Sequence, residues 1–172
     1  MSRSLVINYA IVTLALTAFC TGLAFQTQRA QTGAVDPREL LPSVFLLVLL
    51  TAIVWLLMLL ARNVSVAIGK VSMRYYESYR SDAPPEWIER PARTFMNLLE
   101  VPVLFYVACL LMLVTQHCDR AQVLLATTFV ATRFVHALVY IGVNHVPARF
   151  GAYVAGCVTL GVIWVRLSSA LL

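Results

Sequence analysis

Long apolar blocks separated by short polar segments dominate the chain. Five of these blocks reach the roughly 20 helical residues needed to cross a hydrocarbon core of about 30 Å. Within the blocks the apolar residues are continuous and do not alternate with polar ones, which argues against the strands of an outer-membrane barrel. The pattern therefore predicts five membrane-spanning helices, over Leu5–Phe25, Leu40–Ala61, Thr94–Thr115, Ala121–Val143 and Phe150–Leu172.

Composition supports the same fold class. Of the 172 residues, 60% are hydrophobic and 12% are charged, and the mean hydropathy is +0.82. Soluble domains carry about 25% charged residues, so a water-soluble enzyme, a disordered tail and a secreted disulfide scaffold are excluded. We predict an all-α integral membrane protein.

The first apolar block has two interpretations. Arg3 followed by an apolar run that ends in small residues fits a secretory signal, whereas the length of the run and the polar Asn8 favour a retained helix. We favour the retained helix and leave cleavage open. The predicted organisation is an N-terminal transmembrane helix over residues 1–30, which could serve as a signal or an anchor, and a four-helix membrane domain over residues 40–172.

Charge predicts the orientation in the membrane. Thirteen Lys and Arg against eight Asp and Glu give a net charge of +5, and in a membrane protein the placement of the basic residues matters more than their sum. The polar connection 62–93 is interrupted by Ala83-Pro84-Pro85-Glu86, which stops a continuous helix. By the positive-inside rule this connection faces the cytoplasm. It holds six basic residues: Arg62, Lys70, Arg74, Arg80, Arg90 and Arg93.

The cysteines and histidines do not predict a metal site. The four cysteines, at positions 20, 109, 118 and 157, form no C-x-x-C pair and no Cys/His ligand spacing. His117 and His145 lie in short connections with no ligand partner nearby in sequence. We predict neither a metal centre nor a disulfide framework.

Polar side chains inside the apolar helices carry the functional signal, because an ionisable group there costs about 2.5–3.5 kcal/mol and needs compensation. Each set falls on one face of its helix by the spacing of its members. At a rise of about 1.5 Å per residue, the sets lie at a common level roughly 5–15 Å from the cytoplasmic end. They are Arg93, Asn97 and Glu100 in the third block, Arg133, His136 and Tyr140 in the fourth, and Arg149 and Tyr153 at the start of the fifth.

Two interpretations of this polar level stay open. Interhelical hydrogen bonds often merely tie helices together, and Glu100 with Arg133 as a buried pair would fit that role. A polar ligand site explains the whole set better, since structural ties do not require Arg93, Arg149 and two tyrosines at one opening. An anionic ligand is favoured because arginine forks suit carboxylates.

The polar residues in this order resemble the MAPEG family, the membrane-associated proteins of eicosanoid and glutathione metabolism. The likeness runs from about Leu40 to the end of the chain and leaves the first helix outside. It rests on Glu89-Arg90-x-x-Arg93-x-x-x-Asn97-x-x-Glu100 after Pro84-Pro85-Glu86, as in the leukotriene synthase branch. It also rests on Arg133-x-x-His136-x-x-x-Tyr140 and Pro147-x-Arg149-x-x-x-Tyr153, as in the prostaglandin E synthase branch.

The resemblance implies a four-helix bundle assembled into a homotrimer, here a bacterial-type member with an extra N-terminal helix in the inner (cell) membrane. It implies that glutathione binds between protomers and that Arg149, as the catalytic residue, stabilises the thiolate. The implied function is a glutathione-dependent transferase or peroxidase acting on lipophilic electrophiles that arrive through the membrane lipid. The resemblance and the polar level together predict a glutathione site made of Arg93, Asn97, Glu100, Arg133, His136, Tyr140 and Tyr153.

Three positions depart from the family pattern and weaken the expectation of catalysis. Ser72 stands where an arginine that grips the ligand is usual, Met96 replaces a further arginine of the prostaglandin branch, and Phe150 replaces a serine proposed to help activate the thiol. A non-catalytic bundle that serves as a lipid-binding or assembly subunit is therefore the alternative function. A proton or ion pathway through Glu100, Arg133 and His136 ranks last, because the polar level spans only half the bilayer.

Overall fold

Five long helices make up most of the described chain. In this computed structural model, the described residues are 3–30, 33–72, 75–76 and 84–172. A 3-10 turn over Pro37–Leu40 precedes the second helix. The described residues contain no strand, apart from an isolated bridge between Ala34 and Asp119. The helices are α1 (Arg3–Arg29), α2 (Leu41–Ala67), α3 (Glu86–Thr115), α4 (Arg120–Ile141) and α5 (Val146–Leu171).

All five helices are long and apolar enough to cross a membrane. The prediction of an all-α, multi-pass integral membrane protein with five spanning helices is confirmed. The breaker at Pro84-Pro85 also acts as predicted, because Pro85 is the extended N-cap residue of α3, with φ −51° and ψ 143°. Arg74, Arg80 and Ala83 lie outside the described residues.

Two helices begin a full turn or more before the apolar blocks indicate. α3 starts at Glu86, about two turns ahead of the predicted start at Thr94. α5 starts at Val146, ahead of Phe150, because the His145 Nδ1 accepts a hydrogen bond from the Ala148 N–H at 3.4 Å and caps the first turn. Hydropathy detects only the part of a helix that lies in lipid, so it does not predict the polar turns at the ends of a helix.

Packing divides the bundle into two closely associated pairs. α4 packs most extensively against α5, and α2 packs against α3. The rings of Phe105 on α3 and Phe129 on α4 stack at 4.8 Å between centroids and connect the pairs. α1 lies against α5 and α4, where Gly151 allows a close approach: a Cβ there would stand 2.9 Å from Val12 Cγ1.

Asp119 connects three parts of one end of the bundle. Its Oδ1 accepts from the backbone N–H of Gln122 at 2.8 Å and caps α4, and its Oδ2 accepts from Arg166 of α5 at 2.5 Å. The neighbouring Cys118 carbonyl accepts from the Val35 N–H at 3.0 Å, which brings in the α1–α2 connection. Burial, reinforced by nearby carboxylates, raises the pKa of the Cys118 thiol to about 11, so this thiol stays protonated.

The start of α3 meets the end of α4 at the opposite end of the bundle. Arg90 donates from Nη1 to the Gly142 carbonyl at 2.9 Å and from Nη2 to Glu86 at 2.6 Å. A cationic side chain at the C-terminus of α4 also interacts favourably with the helix dipole. These contacts place the N-terminus of α3, the C-terminus of α4 and the N-terminus of α5 at one end.

Candidate functional site

Arg133 is the most buried charged residue of the polar set, with only 1% of its surface exposed. It lies on α4, and its Nη2 donates to the backbone carbonyl of Tyr153 at 2.9 Å and to that of Ala152 at 3.4 Å, both on α5. Its guanidinium also lies 5.2 Å from the ring centroids of Phe129 and Tyr153. Arg133 therefore connects the two helices through the backbone of α5.

The Arg133–Glu100 pair considered from the sequence does not form. Among the described residues no ion pair joins these two side chains. A carbonyl oxygen has two lone pairs, so it can accept a side-chain donor in addition to its helical partner. Backbone oxygens thus stabilise the cation, and the Glu100 carboxylate is left for other contacts.

Gly156 makes room for Arg133. A Cβ at this position would overlap Arg133 Nη2 and would lie 2.7 Å from both Arg133 Cζ and Thr132 Oγ1. At the next glycine of α5, Gly161, an added Cβ would have nothing within 4 Å. The two glycines of one helix therefore differ sharply in how much space they leave for a side chain.

His136 lies one turn further along α4 and also contacts the backbone of α5. Its Nδ1 is 2.9 Å from the Arg149 carbonyl. Because a carbonyl oxygen only accepts, Nδ1 carries the proton of this hydrogen bond. The residue is 6% exposed, and its Nε2 is buried without a hydrogen-bond partner in the described part of the chain.

Arg149 extends into a half-buried position at the start of α5. Its guanidinium carbon lies 4.2 Å from the ring centroid of Tyr140, a cation–π contact. Its Nη1 donates to Asn144 Oδ1 at 2.5 Å. Asn144 of the α4–α5 connection and Tyr140 at the end of α4 thus hold this cation in place.

Aromatic rings surround His136. The Tyr140 ring meets it edge-on at 5.8 Å between centroids, and the Tyr153 ring is tilted at 5.7 Å. Tyr140 is buried and Tyr153 is half-buried. The structure therefore brings five of the predicted site residues together between α4 and α5: Arg133, His136, Tyr140, Arg149 and Tyr153.

The three predicted residues of α3 occupy a more open face. Arg93 lies 3.8 Å from Glu89 with 61% of its side chain exposed, and Asn97 donates to the Arg93 carbonyl at 3.1 Å. Glu100 is exposed and is close enough to Tyr153 to interact with it electrostatically. Within one protomer these residues border the α4–α5 cluster without hydrogen bonding to it in the described residues.

Two residues of the cluster were not predicted from the sequence. Asn144 adopts a left-handed backbone conformation, with φ 50°, and the short Gly142-x-Asn144-His145 connection is the signal that could have indicated it. Gly156 could have been found only by knowing that it lies opposite Arg133. Phe150, which departs from the family pattern, has 53% of its surface exposed.

Comparison with known proteins gives one finding. A model of the MAPEG family matches residues 40–169, a range that covers α2, α3, α4 and nearly all of α5. α1 precedes the matched range. Searches of curated proteins and of solved structures found no match. The resemblance inferred from the polar motifs is confirmed.

We predict that Gly156→Ala destabilises the bundle by about 1–3 kcal/mol, the usual cost of forcing extra volume into a packed site. The added methyl group would displace Arg133 from the Ala152 and Tyr153 carbonyls. Thermal unfolding of the purified protein in detergent measures the effect. Gly161→Ala is the matched control and should leave the unfolding temperature unchanged or raise it slightly, because alanine favours a helix more than glycine does; equal unfolding temperatures for both variants would contradict the prediction.

Proposed function

The chain belongs to the MAPEG family, and on this premise we propose that it is a glutathione-dependent transferase or peroxidase acting on lipophilic electrophiles. One observation carries the proposal: the cation of Arg149 and the unpartnered Nε2 of His136 lie in one cluster at the end of the bundle. When bound, glutathione would supply the thiol whose deprotonated form is the nucleophile. The family includes such enzymes, and the chain retains their motifs.

The proposed role of Arg149 is to hold positive charge near the thiol. A cation close to a thiol favours the thiolate and lowers the thiol pKa. The contacts with Tyr140 and Asn144 restrain the guanidinium, so little reorganisation is needed when a negative charge forms. Arg149 is accordingly the proposed catalytic residue.

The remaining cluster fits the other groups of glutathione, which carries two carboxylates and an ammonium. The free Nε2 of His136 can accept a hydrogen bond from an amide or ammonium, because Nδ1 holds the ring proton. Glu100 can receive the ammonium, since Arg133 does not use its carboxylate. Arg93, Asn97, Tyr140 and Tyr153 complete the proposed binding site, with Arg133 positioning α5 behind it.

We further propose that the active form is a homotrimer. Glu100 and Met96 are exposed on α3 inside the membrane-spanning range. An uncovered carboxylate there would cost about 2.5–3.5 kcal/mol, so a neighbouring protomer and the ligand between protomers would offset that cost. Exposed Val103 continues the same helical face.

The proposed orientation places connection 62–93 and the glutathione site on the cytoplasmic side of a bacterial inner membrane. The positive-inside rule supports this orientation. The contact between Arg90 and the Gly142 carbonyl fits the alternation of spans on which this orientation is built, because it joins two connections that alternating spans put on the same side. With five spans the C-terminus would then lie outside.

A non-catalytic bundle remains the second candidate. The apolar Phe150 directly follows Arg149 and is exposed, at the position where a branch of the family has a serine proposed to help activate the thiol. In that case the bundle would serve as a lipid-binding or assembly subunit and would not turn glutathione over. Measuring turnover therefore separates the two functions.

We predict that Arg149→Ala weakens glutathione binding about tenfold or more, because a charge-assisted contact contributes about 1.5–3 kcal/mol. Conjugation of a generic electrophile should fall further, since the thiolate would lose its cation. Calorimetry measures the binding, and the rate of product formation measures the conjugation. The control is Arg120→Ala, at the opposite end, whose side chain is 67% exposed; it should change neither. No binding by the unaltered protein at millimolar glutathione would refute the proposal.

For the homotrimer, we expect the mass of the protein in mild detergent to correspond to three copies. Val103→Trp should reduce the assembly to smaller species, because the bulky ring lies on the face that carries Met96 and Glu100. Val165→Trp is the control, as Val165 is 68% exposed on α5. A single-copy mass for the unaltered protein would be inconsistent with the proposal.

For the orientation, we predict that alkaline phosphatase fused after Leu172 is active in bacterial cells, because this enzyme matures only outside the inner membrane. A fluorescent protein that folds only in the cytoplasm should stay dark at the same position and be bright when inserted at residue 82. The reverse pattern would place connection 62–93 outside.

A further inference from the structure

A groove of about 520 Å³ lies between α1 and the α4–α5 pair. This volume falls within the range of about 300–1,000 Å³ typical of small-molecule sites. Side chains of α1, among them Leu16 and Phe19, form one wall, and Ala131 of α4 with Ala152 and Ala155 of α5 form the floor. The groove is formed only because α1 is present, and α1 lies before the range matched by the family model.

The groove offers few groups to a polar ligand. No charged side chain of the described residues lines it. The protons of its two hydroxyl groups are used within their own helix, since Thr128 donates to the Leu124 carbonyl at 2.9 Å and Thr132 to the Phe129 carbonyl at 2.7 Å. A ligand here would gain mainly apolar contacts, so the lining is complementary to an uncharged chain without hydrogen-bonding groups.

The position of α1 fixes the width of the groove. Val12 contacts α5 at Gly151, where an added Cβ would stand 2.9 Å from it. Small residues leave the floor beside this contact unfilled, and the segment from Ala148 to Ala155 gives a length of about 10 Å at the helical rise. The groove is thus continuous with the interface between α1 and α5.

The groove also opens sideways within the membrane-spanning range. Two of its lining residues, Ile11 and Val135, are 57% and 51% exposed, and both belong to helices that can span a bilayer. An occupant can therefore enter laterally from the hydrocarbon core without crossing water. The abundant uncharged chains at that level are the acyl chains of phospholipids.

From these features we propose that the groove is a binding site for one acyl chain of a bilayer phospholipid. The bound chain fills the space between α1 and the floor and so completes the packing of α1 on the bundle. The lipid-facing surface of α2, with Phe45, Leu49 and Leu56 exposed, is the reference for ordinary, non-specific lipid contact. The inference stands independently of the proposed glutathione chemistry.

Photo-crosslinking of the full chain tests the proposal. The protein is reconstituted into phosphatidylcholine vesicles that contain a trace of phosphatidylcholine with a diazirine in one acyl chain, and labelled residues are mapped by mass spectrometry after irradiation. A parallel sample receives a diazirine-bearing free fatty acid at the same mole fraction. Ala131→Phe fills the groove from its floor, and Ala15→Phe fills it from the α1 wall. Leu138→Phe, at a 70% exposed position of α4 outside the groove, is the matched control.

Labelling by the phospholipid probe should concentrate on the groove-facing residues of α1, α4 and α5. It should fall about tenfold there in both groove-filling variants, the factor given by about 1.4 kcal/mol of lost packing, and stay unchanged in the control. Labelling of α2 at an equal level per residue would overturn the proposal, as would labelling by the free fatty acid alone. Should a filling variant misfold, the map of the unaltered protein still decides, through the ratio of groove to α2 labelling.

Discussion

The contact of Arg133 with the backbone of α5 is the interaction on which the polar cluster depends. A guanidinium in the interior of a membrane bundle needs acceptors, because lipid and packed apolar side chains supply none. The carbonyls of Ala152 and Tyr153 accept from its Nη2, the missing side chain of Gly156 provides the space, and its Nε is buried without a partner in the described residues. Among the described residues no carboxylate pairs with this cation, and its contacts hold α5 at a fixed rotation against α4.

His136 repeats this arrangement one turn closer to the end of the bundle. Its ring N–H donates to the Arg149 carbonyl, so two residues of α4 hold the same two turns of α5 by their main chain. These turns carry Arg149 and Tyr153, the groups that border the open face of α3. The opposite end of α5 is restrained differently, by its own side chain Arg166 on the carboxylate that caps α4. Both ends of α5 are therefore held in place. The proposed site lies at the N-terminal end, where side chains of α4 bind the backbone of α5.

The sequence predicted the fold well because lipid imposes a strong rule. A span must be apolar and helical over about 20 residues, so hydropathy located all five helices and the polar motifs identified the family. The first two turns of α3, from Glu86 to Arg93, were missed because they extend beyond the apolar block. The acceptors of Arg133 were missed for another reason. The spacing of side chains predicts which residues share a helix face, but every residue has a backbone carbonyl, so the sequence does not indicate which carbonyls accept a side-chain hydrogen bond. The sequence instead suggested Glu100, the nearest opposite charge. The glutathione site stays a prediction, since its α3 residues border the cluster without bonding to it in one protomer.

Anchoring through main-chain oxygens has a consequence for how this protein can diverge. Every residue type contributes the same backbone carbonyl, so the hydrogen bonds that Arg133 and His136 donate to α5 do not depend on which side chains occupy positions 150 and 152. Exposed Phe150 beside Arg149 can therefore be exchanged in the course of evolution without loosening the scaffold. Exposed positions at the mouth of the cluster can therefore vary, while Arg133 and His136 of α4 together with Gly156 of α5 keep the two helices packed.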